Sequence, residues 1–318
     1  MRSSVLGSIP DLAKNCRQEE SLEIFRRMCM IRYFEIEVAK ASEKGHIYCP
    51  VYLSIGQESI ASAVSMVMKG SYIFTQHRGH SAYLAFGGDP VKLMDELLGL
   101  PSGCCGGMGG SPCIQDPNIK MIGHEGLIGE HIPIAVGMAL GAPGEKVACF
   151  FGDGAVDEGV YHESINFASL HELPIIFLCE NNGLAVHSSI EARQAFKIIE
   201  HVSVYGISTT YCPEGYDLMK VHEVFSGIVD DFRKDRLPHF IEIKTFRYVE
   251  HVGHGEDYDD GYRSRDELEA WRSKDPLVLN KELVDKFTPV IIKDIDDAVE
   301  FAETSPWPGR EDLLSEVI

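Results

Sequence analysis

Asp153 and Asn182 are the residues whose types and spacing point most directly to chemistry. Asp153 stands between two glycines after the apolar run 147–151, and Asn182 follows a second apolar run at 175–179. Carboxylate and amide oxygens are hard ligands, and Mg²⁺ takes such oxygens together with phosphate oxygens and water. The flanking glycines let backbone amides approach a ligand closely. The pair therefore predicts a magnesium ion bound against a diphosphate.

The segments around these residues predict a strand, a crossover helix and a parallel strand. Both apolar runs are continuous, as in strands buried on both faces of a parallel sheet. Residues 159–170 carry apolar side chains at roughly helical spacing. The carboxyl ends of parallel strands lie at one edge, where ligands collect, so Asp153 and Asn182 are expected to face each other. Two unrelated turns are the alternative interpretation, which the spacing of the pair disfavours.

The chain of 318 residues shows no linker, low-complexity tract or internal repeat. The simplest fold is one α/β domain with a doubly wound, mostly parallel sheet and helices on both faces. We expect residues 1–21 to form an N-terminal extension and residues 22–318 to form this domain, which ends in a helical tail. The first 20 residues lack an apolar signal core, although a short organelle presequence stays compatible with them.

The excess of acidic residues limits the possible partners. Asp and Glu number 49 and Lys and Arg 29, which gives a net charge of −20 and argues against nucleic acid as a partner. No apolar run reaches the roughly 18 residues of a membrane-spanning helix, so no membrane partner is expected. The nine cysteines include no CxxC pair, so we expect neither a disulfide scaffold nor zinc at Cys104, Cys105 and Cys113. A reducing cytoplasm is the default location.

The segment 152–186, which reads GDGAVDEGVYHESINFASLHELPIIFLCENNGLAV, resembles the thiamine diphosphate motif of a known family. That family comprises the α subunits of the thiamine diphosphate-dependent first component of 2-oxoacid dehydrogenase complexes, which include the pyruvate, branched-chain and acetoin enzymes. The similarity runs through nearly the whole chain, in the segments 22–28, 55–58, 76–80, 103–111, 126–129, 247–263 and 298–302. It implies the thiamine diphosphate-binding fold, Mg²⁺, decarboxylation of a 2-oxoacid, and transfer of the acyl group to a lipoyl domain.

The resemblance also implies which residues hold the metal and the cofactor. The metal ligands are the side chains of Asp153 and Asn182 and the backbone carbonyl of Leu184. The cofactor-binding residues are Gln76, His77, Arg78, Gly126, Ile128, Gly152, Asp153, Gly154, Ala155, Asn182, Val186 and His251.

Particular roles follow from the same resemblance. Arg78 and the amides of residues 154–155 meet the diphosphate, and Val186 is the apolar prop that bends the cofactor. His251 and His80 are the catalytic candidates, since a well-placed histidine contributes about 10²–10⁴-fold as acid or base.

This chain departs from the family pattern in several places. His77 stands where the family more often has tyrosine, and Pro112-Cys113 stands where the family has Met-His. The segment 123–126 is unusual beside the pyrimidine. Val252 replaces the regulatory serine of mammalian members, so that phosphorylation switch is expected to be absent. The departures leave open related thiamine-dependent carboligation, or acetoin cleavage, without a lipoyl acceptor.

The family's glutamate that activates the pyrimidine ring lies on the β subunit. The resemblance therefore implies an α₂β₂ heterotetramer, and we expect a large exposed apolar surface where the subunits meet. The glycine cluster 106–110 is either a mobile loop or a loop at the active-site entrance. Residues 253–265 read as a loop that orders when the cofactor binds. A non-catalytic scaffold of the same fold is a third possible function.

Overall fold

The computed structural model describes residues 17–232, 238–306, 309 and 311. The strands are β1 (Tyr72–Gln76), β2 (Met121–Glu125), β3 (Val147–Gly152), β4 (Ile175–Asn181), β5 (Leu184–Ala185), β6 (Ser188–Ser189), β7 (Ser208–Cys212) and β8 (His239–Lys244). The helices are α1 (Arg17–Glu43), α2 (Glu58–Val67), α3 (His80–Ala85), α4 (Pro90–Leu97), α5 (His131–Gly141), α6 (Gly159–Leu170), α7 (Ile190–Arg193), α8 (Ile198–Ser203), α9 (Leu218–Phe232), α10 (Arg265–Arg272), α11 (Pro276–Leu279) and α12 (Lys281–Thr304). Short 3₁₀ segments lie at Pro117–Ile119 and Asp153–Asp157.

Six of the strands form one parallel sheet in the order β2-β1-β3-β4-β8-β7. Strands β3 and β4 pair side by side from Val147–Ile175 to Gly152–Glu180. Helix α6 connects them with the predicted bounds, 159–170. The doubly wound α/β fold predicted from the apolar runs is therefore confirmed.

The two faces of the sheet carry separate apolar cores. Successive side chains of a strand point to opposite faces, so Cys149 of β3 belongs to one core and its neighbour Phe150 belongs to the other. Helices α5, α6 and α8 cover the first face, and α1, α2, α9 and α12 contribute to the second core. This two-sided burial explains why β3 and β4 are apolar without alternation, and it confirms the predicted helices on both faces.

The chain reverses direction across the sheet between β1 and β3. Strand β1 pairs with β2 on one side and with β3 on the other, so the crossovers leave β1 in opposite directions. Ligands of open α/β sheets bind beyond the carboxyl ends of the strands at such a reversal. Gln76 ends β1, Gly152 ends β3 and Asn181 ends β4, so the predicted site residues lie at that crevice.

The first helix, one long loop and the cysteines bear on the remaining structural predictions from the sequence. Helix α1 begins at Arg17, so the boundary expected at residue 22 falls inside this helix, and residues 1–16 lie outside the described part of the chain. The predicted loop 253–265 contains neither helix nor strand as far as residue 264, apart from an isolated bridge between Tyr52 and Gly253, and α10 begins at its last residue, Arg265. The eight cysteines that the structure describes are free thiols. Among the described residues, no helix combines the length and apolar character needed to cross a bilayer.

Candidate functional site

A cavity of about 230 Å³ lies at the carboxyl ends of β1, β3 and β4. Eleven of the twelve predicted cofactor-binding residues line it, together with Leu184. Those eleven are Gln76, His77, Arg78, Ile128, Gly152, Asp153, Gly154, Ala155, Asn182, Val186 and His251. Residues that are far apart in the chain thus converge on one crevice.

Asp153 and Asn182 face each other across the ends of β3 and β4. The Asp153 carboxylate is buried at 1% exposure, and its Oδ1 accepts the backbone N–H of Asn182 at 3.3 Å. Its Oδ2 accepts a hydrogen bond from Arg193 at 2.5 Å. Burial raises the pKa of Asp153 to about 6, although the charge of Arg193 opposes that rise.

The loop after Asn182 turns Leu184 and Val186 towards the cavity. The Asn182 Oδ1 accepts the N–H of Leu184 at 3.0 Å, and Gly183 adopts a φ of +80°. Strands β5 and β6 then pair as a short hairpin. Val186 follows β5 with a φ of +55°, which is an outlier for a β-branched residue. Strain of about 1–3 kcal/mol at such a residue is typical of functional sites.

Two glycines form the floor of the cavity. The N–H of Gly152 donates to Gln76 Oε1 at 2.9 Å. A Cβ at Gly152 would lie 3.1 Å from that same oxygen, and a Cβ at Gly154 would lie 3.0 Å from the Cβ of Ala185. A Cβ at either position would press on the cavity-lining residue Gln76 or Ala185, so these glycines permit the close packing around the cavity.

Arg78 is the basic residue in the cavity wall. It is buried, and it donates to the carbonyl of Leu53 at 2.5 Å and to the carbonyl of His251 at 3.1 Å. Burial and the nearby charge of Arg247 lower the pKa of Arg78 to about 9, so the guanidinium is still charged at neutral pH. Glu180, buried beneath it, has its pKa raised to about 7 by burial.

His251 lines the cavity and has two aromatic neighbours. Its ring centroid is 5.3 Å from that of His77 and 5.8 Å from that of Tyr52. Burial, and then the positive charges of Arg78 and Arg247, lower the pKa of His251 to about 3. The imidazole is therefore neutral near pH 7, and its Nδ1 faces the Arg78 guanidinium at 3.5 Å.

The structure does not bring His80 and Gly126 to the cavity wall. His80 is fully buried, and it bridges Glu35 at 3.2 Å and the hydroxyl of Ser111 at 2.9 Å. Ser111 also accepts the N–H of Tyr52 at 3.1 Å, and the ring of Tyr52 contacts those of His77 and His251. His80 is thus linked to the cavity only indirectly. Gly126 is exposed after β2. The catalytic role of His80 stays a prediction.

The glycine-rich segment after α4 is tied to a buried carboxylate. Glu96 accepts the amides of residues 105, 107, 109 and 110 at 2.7, 2.9, 2.7 and 3.0 Å. This anchoring argues against the interpretation of a mobile loop, and the place of the segment at the active-site entrance stays a prediction. The thiols of Cys104 and Cys105 lie near the same carboxylate, but four amide donors already occupy its oxygens, so zinc is no better supported by the structure than by the sequence.

Sequence reasoning missed the charged groups around Asp153. Arg193 pairs with both Asp153 and Asp157, and Gln194 donates to the carbonyl of Asp153 at 3.0 Å. Asp157 and Glu158 line the cavity as well. These residues lie in the segments 152–159 and 183–194, close in sequence to Asp153 and Asn182. That closeness was the one feature of the sequence from which they could have been predicted.

The residues present fit a hard divalent cation and a diphosphate. The lining residues of the cavity include the carboxylate of Asp153 and the amide of Asn182, whose oxygens are of the kind that Mg²⁺ prefers, and they include no cysteine or methionine. Arg78 and the glycine amides supply positive potential for an anion. The geometry therefore matches the metal and cofactor that the sequence implies.

Comparison with solved structures defines the class of fold. The chain is similar to transketolase from Campylobacter jejuni, with a TM-score of 0.58, 16% identity, and coverage of 92% of this chain and 50% of that one. Transketolase from Leishmania mexicana gives a TM-score of 0.59 at 16% identity, with 92% and 47% of the chains covered. This chain thus spans about half the length of those structures, and the likeness concerns the fold.

Sequence comparison defines the family. Residues 26–309 match the family described as "Dehydrogenase E1 component". The α subunit of the pyruvate dehydrogenase E1 component of Rickettsia prowazekii is 33% identical over 321 residues, which cover 94% of this chain and 96% of that one. The α subunit of acetoin:2,6-dichlorophenolindophenol oxidoreductase of Cupriavidus necator is 33% identical over 318 residues, with 94% of each covered. The chain belongs to the dehydrogenase E1 component family, and the resemblance to its α subunits is confirmed.

Proposed function

We propose that this chain is the α subunit of a thiamine diphosphate- and Mg²⁺-dependent 2-oxoacid dehydrogenase first component. It decarboxylates a 2-oxoacid and transfers the acyl group to a lipoyl domain. The observation that carries the proposal is the convergence of Asp153, Asn182 and Arg78 on one cavity at the reversal point of the sheet. The family match to E1 components supports the reaction class.

The chain's own residues divide the work of binding. The side-chain oxygens of Asp153 and Asn182, with the carbonyl of Leu184, hold Mg²⁺. Arg78 and the amides of Gly154 and the following residue hold the diphosphate. When bound, thiamine diphosphate supplies a nucleophilic carbon and accepts the electrons released as CO₂ leaves. Fixed positions for these anchors lower the entropic cost of bringing the reacting groups together.

Val186 and His251 act closer to the reacting end. Val186 is 48% exposed at the cavity, and its strained backbone holds the apolar side chain where a bent cofactor would rest. His251 presents a neutral imidazole, which can accept a proton at the entrance. The negative charge of a cofactor beside it offsets the positive charges of Arg78 and Arg247. Cofactor binding therefore raises the pKa of His251 back towards its ordinary range.

A partner β subunit is required to complete the site in this proposal. A cavity of about 230 Å³ is smaller than the roughly 300–1,000 Å³ of complete small-molecule pockets. Helix α5 also leaves an apolar face exposed, with Ile134 at 48% and Leu140 at 51%. A Cβ at Gly137 or Gly141 of this helix would meet nothing within 4 Å. Another helix could approach such a face closely, and we assign it to the β subunit of an α₂β₂ assembly.

The central test measures cofactor binding to the full-length chain, with any co-purifying β-type chain retained. Isothermal titration with thiamine diphosphate is expected to show Mg²⁺-dependent binding. Asp153→Ala and Asn182→Ala should abolish it, whereas Asp297→Ala and Asn166→Ala, at exposed helix positions, should leave it intact. Unchanged binding in both site variants would refute the assignment.

Carboligation without a lipoyl acceptor is the second candidate. A Cβ at Gly126 would lie 3.6 Å from Pro112, so the altered Pro112-Cys113 loop adjoins the predicted pyrimidine side. A turnover screen across small 2-oxoacids separates the candidates when each substrate is offered with a lipoyl domain or with an aldehyde. Exclusive carboligation would favour this second function. The cytoplasmic location inferred from the cysteines is part of the same proposal.

A further inference from the structure

Arg193 is held at the back of the proposed metal site by three partners. Its guanidinium donates to Asp153 Oδ2 at 2.5 Å, to Asp157, and to the carbonyl of Ser188 at 3.3 Å. The side chain is 13% exposed. A guanidinium is a planar fork with five donors, so one Arg193 can bridge two carboxylates in a way that a lysine cannot.

The charges around the cavity are unfavourable for an anion unless something offsets them. The cavity is lined by the acidic residues Asp153, Asp157 and Glu158, and among its lining residues Arg78 is the only Arg or Lys. Mg²⁺ would offset the charge of Asp153. Asp157, whose side chain is 27% exposed, would still face the diphosphate, and Arg193 is the cation that pairs with it.

The contacts of Asp153 divide its two oxygens between different partners. Oδ2 accepts from Arg193 at 2.5 Å, whereas Oδ1 accepts only the long hydrogen bond from the backbone N–H of Asn182 at 3.3 Å and keeps a lone pair for another partner. A cation held between Asp153 and Asn182 needs Oδ1, so it does not have to displace the arginine. Groups that orient a metal ligand from behind in this way commonly change metal affinity 10–100-fold when they are removed.

We propose that Arg193 is a positioning residue for the metal and the diphosphate. It neutralises Asp157 at the cavity wall and fixes the Asp153 carboxylate with Oδ1 available to the cation. This inference rests on the proposed cofactor site. The recognised ligand is a diphosphate ester bound together with a divalent cation, and Arg193 contacts neither directly.

The experiment is a double-variant comparison on the full-length chain, with any co-purifying β-type chain retained. The variants are Arg193→Gln, Arg193→Lys, Asp157→Asn and the double variant R193Q/D157N. Lys197→Gln is the charge control, since Lys197 lies four residues away and its side chain is 82% exposed. Calorimetry measures thiamine diphosphate affinity at fixed Mg²⁺, and electron paramagnetic resonance measures Mn²⁺ affinity at fixed thiamine diphosphate. Circular dichroism checks that each variant is folded.

Arg193→Gln is expected to weaken both affinities by about 10- to 100-fold. Adding Asp157→Asn should recover at least about tenfold of the cofactor affinity, because the uncompensated negative charge is then gone. Arg193→Lys should fall between wild type and Arg193→Gln, and Lys197→Gln should match wild type.

Three results would overturn the inference. Tighter Mn²⁺ binding in Arg193→Gln would mean that the arginine competes with the cation. Equal affinities in wild type and Arg193→Gln would mean that it has no role in binding. A loss that Asp157→Asn does not recover would point to direct contact with the diphosphate. If wild type itself bound neither ligand, the proposed function would fail instead, so the two failures are distinguishable.

Discussion

The buried carboxylate of Asp153 should destabilise the chain when no cation is bound. Burial raises its pKa to about 6 from the ordinary 3.8, so the folded state binds its proton more tightly than the unfolded state does. The stabilising effect of the protonated form is complete below about pH 3.8 and is lost as the pH rises to about 6. At about 1.4 kcal/mol for each pH unit, this difference amounts to about 3 kcal/mol at neutral pH.

Asp153→Asn removes the charge while keeping the size of the side chain. Without cofactor at neutral pH, the variant is expected to be more stable than wild type by up to about 3 kcal/mol. For a chain of this size the change corresponds to a rise of about 5–10 °C in Tm. The difference of about 3 kcal/mol already includes the attraction between Arg193 and the Asp153 carboxylate. That attraction is one of the causes that lower the pKa of Asp153 and so oppose the effect of burial.

The assay is thermal unfolding followed by circular dichroism from about pH 4 to about pH 8, the range in which the raised and ordinary pKa values separate. The two melting curves should converge at acid pH and separate as the pH rises. Asp297→Asn, an exposed carboxylate on α12, serves as the control and should show no such separation. With Mg²⁺ and thiamine diphosphate at about 100 times Kd, wild type should gain about 2.7 kcal/mol and Asp153→Asn should gain nothing.

A cofactor-free Asp153→Asn that is less stable than wild type at neutral pH would refute this reasoning. A stability difference that does not change with pH would refute it as well, since the effect would then not come from the carboxylate charge. Loss of cofactor binding alone would not test the electrostatic argument.

Three further predictions follow from other parts of the site. Glu96→Gln puts an amide group against four backbone donors, so it should lower the free energy of unfolding by about 1–3 kcal/mol. It should also speed proteolytic cleavage within residues 103–113. Cleavage at the wild-type rate would contradict the anchoring role. Val186→Gly should relieve about 1–2 kcal/mol of strain from the left-handed backbone conformation. It should nevertheless lower turnover by up to about 100-fold, because the cofactor is then misplaced. Cofactor affinity is measured alongside as the control. The His251 ring should stay neutral from about pH 5 to about pH 8 in NMR titration of the cofactor-free chain. Because its folded pKa of about 3 is below the ordinary 6.5, the unfolded state takes up the proton first, so stability should fall as the pH drops from about 6.5 towards about 3. A ring titration near pH 6.5 would show that burial and the charges of Arg78 and Arg247 do not disfavour the imidazolium.

Much of the fold was predictable from local pattern. The apolar runs 147–151 and 175–179 correspond to β3 and β4, and the helix between them has the predicted bounds. These predictions succeed because a strand buried on both faces must be apolar at every position. The domain boundary at residue 22 stays a prediction, and α1 continues across it without a break from Arg17 to Glu43.

The candidate site was only partly predictable from the sequence. The motif residues Asp153 and Asn182 meet because the ends of neighbouring parallel strands lie at one edge. Arg193 was not found, because the position of a long side chain depends on how its loop returns to the sheet. His80 was predicted as a catalytic candidate, but it is fully buried at the start of α3, contacts Glu35 and is not among the lining residues of the cavity.

The sequence by itself determined which segments enter the sheet and which oxygen donors end them, since apolar periodicity and glycine spacing are local properties of the chain. The tertiary structure alone decided the electrostatic state of those donors. Burial and the arginines brought in from residues 78, 193 and 247 set the pKa values of Asp153 and His251. Such shifts depend on desolvation and on charges a few ångströms away, and neither quantity exists until the chain has folded.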